Sequence, residues 1–254
     1  MSELITLSLI KFQMMNYIKK SIPRYKYKAD LKLLFELKKI IGEEVFDLIE
    51  KPKSQYNQEI LYLYESSFKR NGFFVELVAS DGIRHSNSFL LENVYGYKGI
   101  LSEPSIFQSK DLKYNRNNII DKRCVWSKTG EKLLFADCGD LSTIANYINS
   151  DHHKNSSMKN ESYHVETVSL TDLLILHKAP NIIDFLSIDT EGSEFEILNA
   201  HDFNRFKFRY ITFKHNHTEN REKIKKLLIK KGYIIKYQKV TQNDDFYILN
   251  EPSK

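Results

Sequence analysis

The chain has 254 residues, of which 41% are hydrophobic and only nine are glycine. The apolar fraction excludes a disordered chain, the glycine count excludes collagen-like and linker proteins, and the length suits one α/β domain with a large core or two small domains. The formal net charge of +5 comes from basic residues that are dispersed along the chain, so we do not expect a nucleic-acid partner.

The start of the chain contains a short apolar stretch at residues 4–10. It is far shorter than the roughly 20 residues that span a bilayer, and it has neither a basic region before it nor a small-residue cleavage site after it. The two cysteines, Cys124 and Cys138, are too few for a disulfide framework. We therefore expect a cytoplasmic protein with no membrane partner.

The first 70 residues predict helices. Asp30 is a plausible N-cap for a helix that ends near Gly42, and Ser54 could begin a second helix that ends at Gly72. Residues 1–70 are thus predicted to form an N-terminal helical extension. We expect it to cover the sheet, or to contribute to the substrate pocket or to a contact between copies in a homo-oligomer.

From residue 71 to residue 254 the pattern changes to short apolar runs with helical segments between several of them. The first run, residues 73–78, is continuous and typical of a strand buried on both faces. Strands that alternate with helices predict a mostly parallel sheet, and the last two runs predict an antiparallel hairpin at its edge. The predicted strands are 73–78, 99–102, 123–126, 132–135, 182–188, 210–213, 233–237 and 246–249, and the predicted helices are 86–93, 170–176 and 219–231.

Two acidic residues, Glu76 and Glu103, fall at the ends of the first two predicted strands. Ligands of an open α/β sheet bind outside the carboxyl ends of its strands, and an acid at the second strand can accept two hydrogen bonds from a ribose diol. The glycine pattern of dinucleotide sites is absent, and the first loop has no Lys or Arg. This favours a cationic, ribose-bearing ligand such as S-adenosylmethionine, although both acids could also be ordinary surface residues.

Several blocks of the sequence, in order, resemble the FkbM family of methyltransferases. The most specific is IDFLSIDTEGSEFEIL at residues 183–198. The others are FVELVASDG at 74–82, SNSFLLE at 86–92, GILSEP at 99–104, ITFKHN at 211–216 and DDFY at 244–247. The resemblance covers about residues 54–250. It implies an α/β class I methyltransferase fold, Rossmann-like, with a mostly parallel seven-stranded sheet, an antiparallel edge strand and S-adenosylmethionine as cofactor.

Carried over by position, the resemblance also implies the cofactor-binding residues. Glu103 would hold the ribose hydroxyls, and Asp189 would lie near the sulfonium. The remaining residues would contact the methionine part or border the adenine: Glu76, Val78, Ala79, Ser80, Asp81 and Gly82 for the methionine part, and Ser105, Cys124 and Val125 for the adenine.

The resemblance further implies the reaction, because members of the family mostly methylate hydroxyl groups, often on glycans or small natural products. The chain is therefore predicted to be an O-methyltransferase acting on a sugar, a glycan precursor or another small molecule. Asp189 and His215 are the candidate catalytic bases. Asp189 could instead be the N-cap of the next helix, and His215 a surface imidazole. With Glu191 and Asn216 they could also hold a divalent cation, but this support is weak and we assign no metal.

Two residues depart from the pattern of the family. Val78 stands where the family usually has glycine, and a positive φ would be an outlier for this β-branched residue. Lys214 stands where the family usually has glutamate, which places a cation beside the predicted reaction centre. Either change could weaken the site. The alternative hypothesis is therefore a degenerate, non-catalytic member that serves as a binding or interaction module.

Overall fold

The structure is a computed structural model, and it describes residues 53–139, 142–144, 161–238, 241 and 243–250. The helix predicted after Asp30, and the other predictions for residues 1–52, lie outside the described residues. Within the described part the strands form one seven-stranded and one four-stranded sheet. None of its helices is long and apolar enough to cross a membrane.

The secondary structure elements are numbered here in chain order. The strands are β1 (Phe73–Leu77), β2 (Lys98–Ser102), β3 (Ile119–Asp121), β4 (Cys124–Trp126), β5 (Lys132–Asp137), β6 (Thr143–Ile144), β7 (Glu161–Ser169), β8 (Ile182–Ile188), β9 (Lys207–Lys214), β10 (Tyr233–Lys236) and β11 (Asp244–Leu249). The helices are α1 (Gln58–Glu65), α2 (Phe89–Asn93), α3 (Gln108–Asn115), α4 (Leu170–Leu176), α5 (Glu194–Ala200) and α6 (Asn220–Lys230).

The large sheet has the strand order β10-β11-β9-β8-β1-β2-β3. Strand β1 pairs in parallel with both β2 and β8, so the direction of the winding reverses beside β1. The ends of these central strands therefore meet at a topological switch point, where α/β sheets bind their ligands. The predicted Rossmann-like, mostly parallel seven-stranded sheet is confirmed.

The predicted hairpin at the end of the chain is also present, but its place in the sheet differs in detail. Strand β11 is antiparallel to both β9 and β10. Because β10 pairs outside it, the antiparallel strand is second from the edge rather than at the edge.

The core lies on both faces of the central strands. Neighbouring residues of a strand point to opposite faces, and in β8 Phe185 and Leu186 are both fully buried. Leu186 belongs to the main apolar cluster, which includes residues of α4, α5 and α6. Phe185 packs against Tyr62 of α1, whose ring also contacts Tyr210 with 4.9 Å between centroids. Helix α1 therefore covers one face and the three later helices cover the other.

The four-stranded sheet has the order β4-β7-β5-β6 and was not predicted as a separate sheet. The strands predicted at 123–126 and 132–135 exist, but their assignment to the large sheet is wrong, because both pair with β7. The sequence of β7 predicted no strand because its N-terminal half is mostly exposed, so that it lacks the continuous apolar run of a buried strand.

Both ends of helix α1 differ from the prediction, whereas helices α4 and α6 agree with theirs. The helix begins after Asn57, which has a left-handed backbone, and it ends at Glu65 rather than at Gly72. Ser54, the predicted N-cap, instead forms an isolated bridge with His85. Helix α4 has the predicted bounds, and α6 agrees with its prediction to within one residue at each end.

Candidate cofactor and acceptor site

A cleft lies at the carboxyl edge of the large sheet, between its central strands and the small sheet. It encloses about 300 Å³, a volume that includes space open to solvent. Val78, Cys124 and Val125, three of the predicted cofactor residues, line it together with Thr190 and Ser193. Burial raises the pKa of the Cys124 thiol to about 12, so this cysteine is a neutral part of the wall and not a nucleophile.

The loop after β1 keeps a left-handed turn although its first residue is valine. Val78 has a φ of 62°, and Ser80 has a φ of 52°. The backbone N–H groups of Val78 and Ala79 both donate to the carbonyl of Ser102 at the end of β2, at 2.8 and 3.1 Å. These two hydrogen bonds hold the turn in place against a backbone strain of about 1–3 kcal/mol.

The end of this loop depends on Asp81 and Gly82. The Asp81 carboxylate accepts hydrogen bonds from the backbone N–H groups of Ile83 and Arg84, both at 2.8 Å, so it closes the turn. Gly82 has a φ of 82°, and a Cβ there would lie 2.6 Å from the side chains of Leu112 and Arg116. Only glycine fits this position.

The carboxylate of Glu76 is buried and bound by the segment that precedes α2. It accepts hydrogen bonds from the hydroxyls of Ser86 and Ser88 and, at 2.6 Å, from the backbone N–H of Asn87. Arg116 Nη1 lies 3.7 Å from Oε2. Burial raises the pKa of Glu76, while Arg116 and the hydrogen bonds oppose this rise. The helix predicted at 86–93 begins only at Phe89 because residues 86–88 form this turn around Glu76.

Glu103, at the end of β2, has a different environment. Its two oxygens accept one hydrogen bond each, from the backbone N–H groups of Ser80 at 2.7 Å and Ser105 at 2.8 Å. No salt bridge to Glu103 occurs among the described residues, and burial raises its pKa to about 8. Each oxygen keeps a lone pair, so the carboxylate can still accept hydroxyl groups of a ribose.

The small sheet fixes the turn that follows Glu103. Asp137, at the end of β5, accepts hydrogen bonds from the hydroxyls of Ser105, at 2.7 Å, and of Tyr163 in β7. Ser142 also donates to Asp137, at 3.2 Å. Sequence reasoning missed Asp137 and Tyr163, since only the folded small sheet brings them to Ser105.

The loop after β1 and the 86–88 turn each contain a buried polar atom with no hydrogen-bond partner within the described part of the chain. The two atoms are Oγ of Ser80 and Oδ1 of Asn87. Asn87 is fixed by its amide, which donates to Ser187 Oγ at 2.7 Å, so its oxygen is held in one orientation. Each of these oxygens therefore keeps the capacity to accept a hydrogen bond from a bound ligand. Asn87 was missed as a site residue, although it lies in a motif that the sequence displays.

The turn after β8 carries a polar cluster formed by Asp189, Glu191, Lys214 and Asn216. Lys214 Nζ lies 2.7 Å from Glu191 Oε1 and 3.3 Å from Asp189 Oδ1, and Asn216 donates to Glu191 Oε2 at 2.9 Å. Burial lowers the pKa of Lys214, but the two carboxylates outweigh this effect and hold the pKa well above its usual range. Asp189 is not an N-cap, because Ser193 holds that position before α5.

His215 is buried and faces away from this cluster. Its Nδ1 accepts a hydrogen bond from the backbone N–H of His217 at 3.0 Å, and its Nε2 lies 3.8 Å from Asp245, which Arg221 of α6 also binds. The alternative prediction that His215 is a surface imidazole is thus wrong. Burial lowers the pKa of His215 to about 4, so the ring is neutral near pH 7. The structure does not bring the two predicted bases together.

The cation site considered for Asp189, Glu191, His215 and Asn216 does not fit this arrangement. The ammonium of Lys214 lies between the two carboxylates, and His215 contacts Asp245 instead. Within the described ranges no group of three or more His, Cys, Asp or Glu side chains is arranged to hold a metal ion.

A Rossmann-like sheet with a left-handed loop at its switch point and a buried acid at the next strand end is the arrangement that the sequence predicted for a class I methyltransferase. The family model described as "Methyltransferase FkbM domain" matches residues 76–235. The chain therefore belongs to the FkbM methyltransferase family. Membership implies methyl transfer from S-adenosylmethionine.

Solved structures similar to this chain include other methyltransferases. Methyltransferase FkbM from Methylobacillus flagellatus KT is 11% identical, with 86% of this chain and 58% of that chain covered and a TM-score of 0.48. Precorrin-6y C5,15-methyltransferase from Geobacter metallireducens GS-15 is 14% identical, with coverages of 75% and 85% and a TM-score of 0.38. Among curated protein sequences there is no significant match.

Proposed function

We propose that the protein is an O-methyltransferase that acts on a hydroxyl group of a neutral sugar or glycan precursor in the cytoplasm. S-adenosylmethionine supplies the electrophilic methyl group when it is bound. The observation that carries the proposal is the state of Asp189 at the end of β8. Its side chain is 35% exposed; its Oδ1 is buried, and its Oδ2 accepts only a long hydrogen bond, 3.5 Å from Lys214 Nζ, among the described residues.

A carboxylate with a free acceptor can take up the proton of a hydroxyl group as the oxygen attacks. Such general base catalysis is typically worth about 10²–10⁴-fold in rate. His215 is less suited to this role, because its Nδ1 is occupied and its Nε2 is directed at Asp245. Asp189 is therefore our candidate base, and the second candidate, His215, is expected to support the fold of β9 and β11.

The charges around Asp189 favour an uncharged acceptor. Lys214 is the one basic side chain of the described part that contacts Asp189 or Glu191, and both carboxylates neutralise it. Asp244 lies close enough to interact electrostatically with Asp189 and Lys214. A phosphate or carboxylate acceptor would meet net negative charge here, whereas sugar hydroxyls need only hydrogen-bond acceptors. This argues against nucleic acids as substrates.

The cofactor residues have distinct roles in this proposal. Glu103 accepts the ribose hydroxyls, and the free oxygens of Ser80 and Asn87 accept the ammonium of the methionine part. Glu76 has a structural role, because its hydrogen bonds hold the 86–88 turn in place. The free, buried thiol of Cys124 borders the adenine and suits a reducing compartment.

Calorimetry with S-adenosylmethionine and S-adenosylhomocysteine tests the cofactor, and transfer of labelled methyl groups to a panel of neutral, acidic and amino sugars tests the acceptor. We expect Asp189→Asn to reduce kcat by about 100-fold or more and to weaken cofactor binding by far less. A folded protein that binds neither cofactor form would overturn the proposal. Methyl transfer to RNA or DNA that is suppressed by salt would refute the acceptor class.

The strain at Val78 favours one alternative, a non-catalytic binding module. In that case sugars would bind although calorimetry detects no heat of cofactor binding, and Val78→Gly should restore that heat because it removes the strain in the loop. The same calorimetric experiment therefore separates the two functions.

A further inference from the structure

The Asp189–Glu191 turn places two carboxylates beside each other, and a single ammonium group neutralises them. Glu191 is buried and has a left-handed backbone with a φ of 54°. This conformation turns its side chain back toward the end of β9, where Lys214 approaches. A nearby like charge disfavours the ionised form of a carboxyl group, so a cation between the two carboxylates stabilises the pair.

Lys214 binds the two carboxylates unequally. Its Nζ lies 2.7 Å from Glu191 Oε1, but 3.3 and 3.5 Å from the two oxygens of Asp189. The amide of Asn216 holds the other oxygen of Glu191. Glu191 is thus saturated and fixed, whereas Asp189 receives the positive charge without losing its capacity to accept a hydrogen bond.

The other groups around Lys214 are acidic or neutral. Asp244 in β11 is buried and accepts a hydrogen bond from Gln58 of α1. Glu194 of α5 accepts hydrogen bonds from Thr190 and Gly192. Both acids interact electrostatically with Asp189. No second basic side chain of the described residues contacts this set, so Lys214 supplies the positive charge on which both carboxylates depend.

We propose that Lys214 is a positioning residue that acts as a tethered counter-ion: it is fixed on Glu191, balances the negative charge of Asp189, and contacts Asp189 Oδ2 only at 3.5 Å, so that this oxygen can accept the acceptor hydroxyl. This proposal rests on the proposed function, because it assumes that Asp189 is the base. The side chain of Lys214 is only 15% exposed, so it cannot extend into the cleft as a free cation. At position 214, where the family usually has glutamate, this chain thus has an internal positive charge.

Removal of the charge tests the proposal directly. In Lys214→Met we expect the titration of the Glu191 carboxyl, followed by ¹³C NMR, to move upward by about one pH unit or more. The acidic limb of the pH dependence of kcat should move in the same direction, so that kcat falls most at the acidic end of the profile, by about tenfold for one pH unit, and recovers at higher pH. Lys214→Arg keeps the charge and should retain the wild-type limb.

Lys69→Met is the matched control, because it removes a similar pair at the opposite end of the same strand. Lys69 Nζ lies 2.6 Å from Asp184 Oδ1 in β8, at the amino-terminal end. This variant should alter neither the Glu191 titration nor the acidic limb. In Lys214→Ala, methylammonium should fill the vacated space and raise kcat, with no such effect on the wild type.

The outcomes separate this proposal from the proposed function. If Lys214→Met is folded and keeps the wild-type titration of Glu191, the counter-ion role is refuted, whether or not sugars are methylated. If the titration moves but the wild type methylates no sugar, the counter-ion role stands and the proposed function fails. A kcat that falls equally at every pH and does not respond to methylammonium would refute the link to Asp189.

Discussion

Glu76 and Glu103 end adjacent parallel strands, and both are buried, yet their surroundings differ in kind. Glu76 is bound by three groups of the 86–88 turn and lies beside a buried arginine. Glu103 is bound only by two backbone N–H groups, with no cation on it among the described residues. The hydrogen bonds that Glu76 accepts therefore stabilise the fold, whereas Glu103 can accept further hydrogen bonds from a ligand.

Position at a strand end therefore does not by itself assign a role to an acidic residue. Arg116 explains the contrast, since it donates to Ser86, Ser88, Glu92 and the carbonyl of Gly82 and thereby joins α2 and α3 to the cofactor loop. We expect substitutions at Glu76 to act on stability and substitutions at Glu103 to act on cofactor affinity.

The largest expected effect is the loss of stability in Glu76→Gln. Removing one partner of a buried ion pair typically costs about 3–5 kcal/mol, and we expect about 3 kcal/mol because Glu92 still neutralises Arg116. Urea unfolding followed by circular dichroism measures it. The matched control is Glu103→Gln, which should cost about 1 kcal/mol, since it breaks one backbone hydrogen bond. Equal losses in both variants would remove the distinction between the two acids.

The next effect concerns binding in Glu103→Gln. Hydrogen bonds to a charged group contribute about 1.5–3 kcal/mol, so the Kd for S-adenosylmethionine should rise about 10- to 100-fold by calorimetry. Asp137→Asn, which loosens the turn through Ser105, should give a smaller rise. A cofactor affinity that is unchanged in Glu103→Gln would contradict the role of this acid.

The pH dependence of cofactor binding also distinguishes Glu103 from Glu76. The pKa of Glu103 is about 8 in the unliganded fold, and ribose hydroxyls favour its ionised form. Binding at pH 7 should therefore release close to one proton, and affinity should rise about fivefold from pH 7 to pH 8 and then level off. Calorimetry in two buffers with different ionisation enthalpies measures this release. It should disappear in Glu103→Gln, and its persistence there would assign the proton to another group.

The smallest expected effect is that of Val78→Gly, in the loop that connects the two acids. Glycine removes the strain of the positive φ but increases the entropy of the unfolded chain, so we expect a net gain of about 1 kcal/mol or less in the free energy of unfolding. The cofactor Kd should fall slightly, because the loop can approach the ligand more closely. Val125→Gly, in the opposite wall, should destabilise the fold, and a loss of stability in Val78→Gly would show that the valine is not strained.

Much of the fold could be predicted from the sequence because the central strands are continuous apolar runs. The runs at β1 and β8 and the helical spacing of α4 and α6 are local patterns, and they appear where they were expected. The small sheet could not be predicted, since β7 has no such run and its pairing with β4 and β5 brings together segments that are far apart in the chain.

The sequence predicted where the site residues lie, at the strand ends, but not which role each residue has. Positions 76, 103 and 189 follow from where each strand stops. The roles depend on contacts between distant segments, which no local pattern contains. Glu76 lies beside Arg116, His215 lies beside Asp245, and Lys214 bridges two acids. Asn87 was overlooked because its segment has the composition of a helix start.

The burial of acids at the strand ends also determines how this protein exchanges protons with its solvent. The pKa of Glu103 is about 8, and those of Glu194 and Asp244 are about 7, against ordinary values of 4.5 and 3.8. The folded chain thus takes up protons near pH 7, and the stability that these groups contribute at low pH is lost as the pH rises through 7 to 8. His215, with a pKa of about 4, acts in the opposite sense, since its contribution is lost as the pH falls from 6.5 toward 4. Folding therefore binds a proton at Glu103 that the cofactor must expel, so these groups together favour the fold in mildly acidic solution and cofactor binding in mildly basic solution.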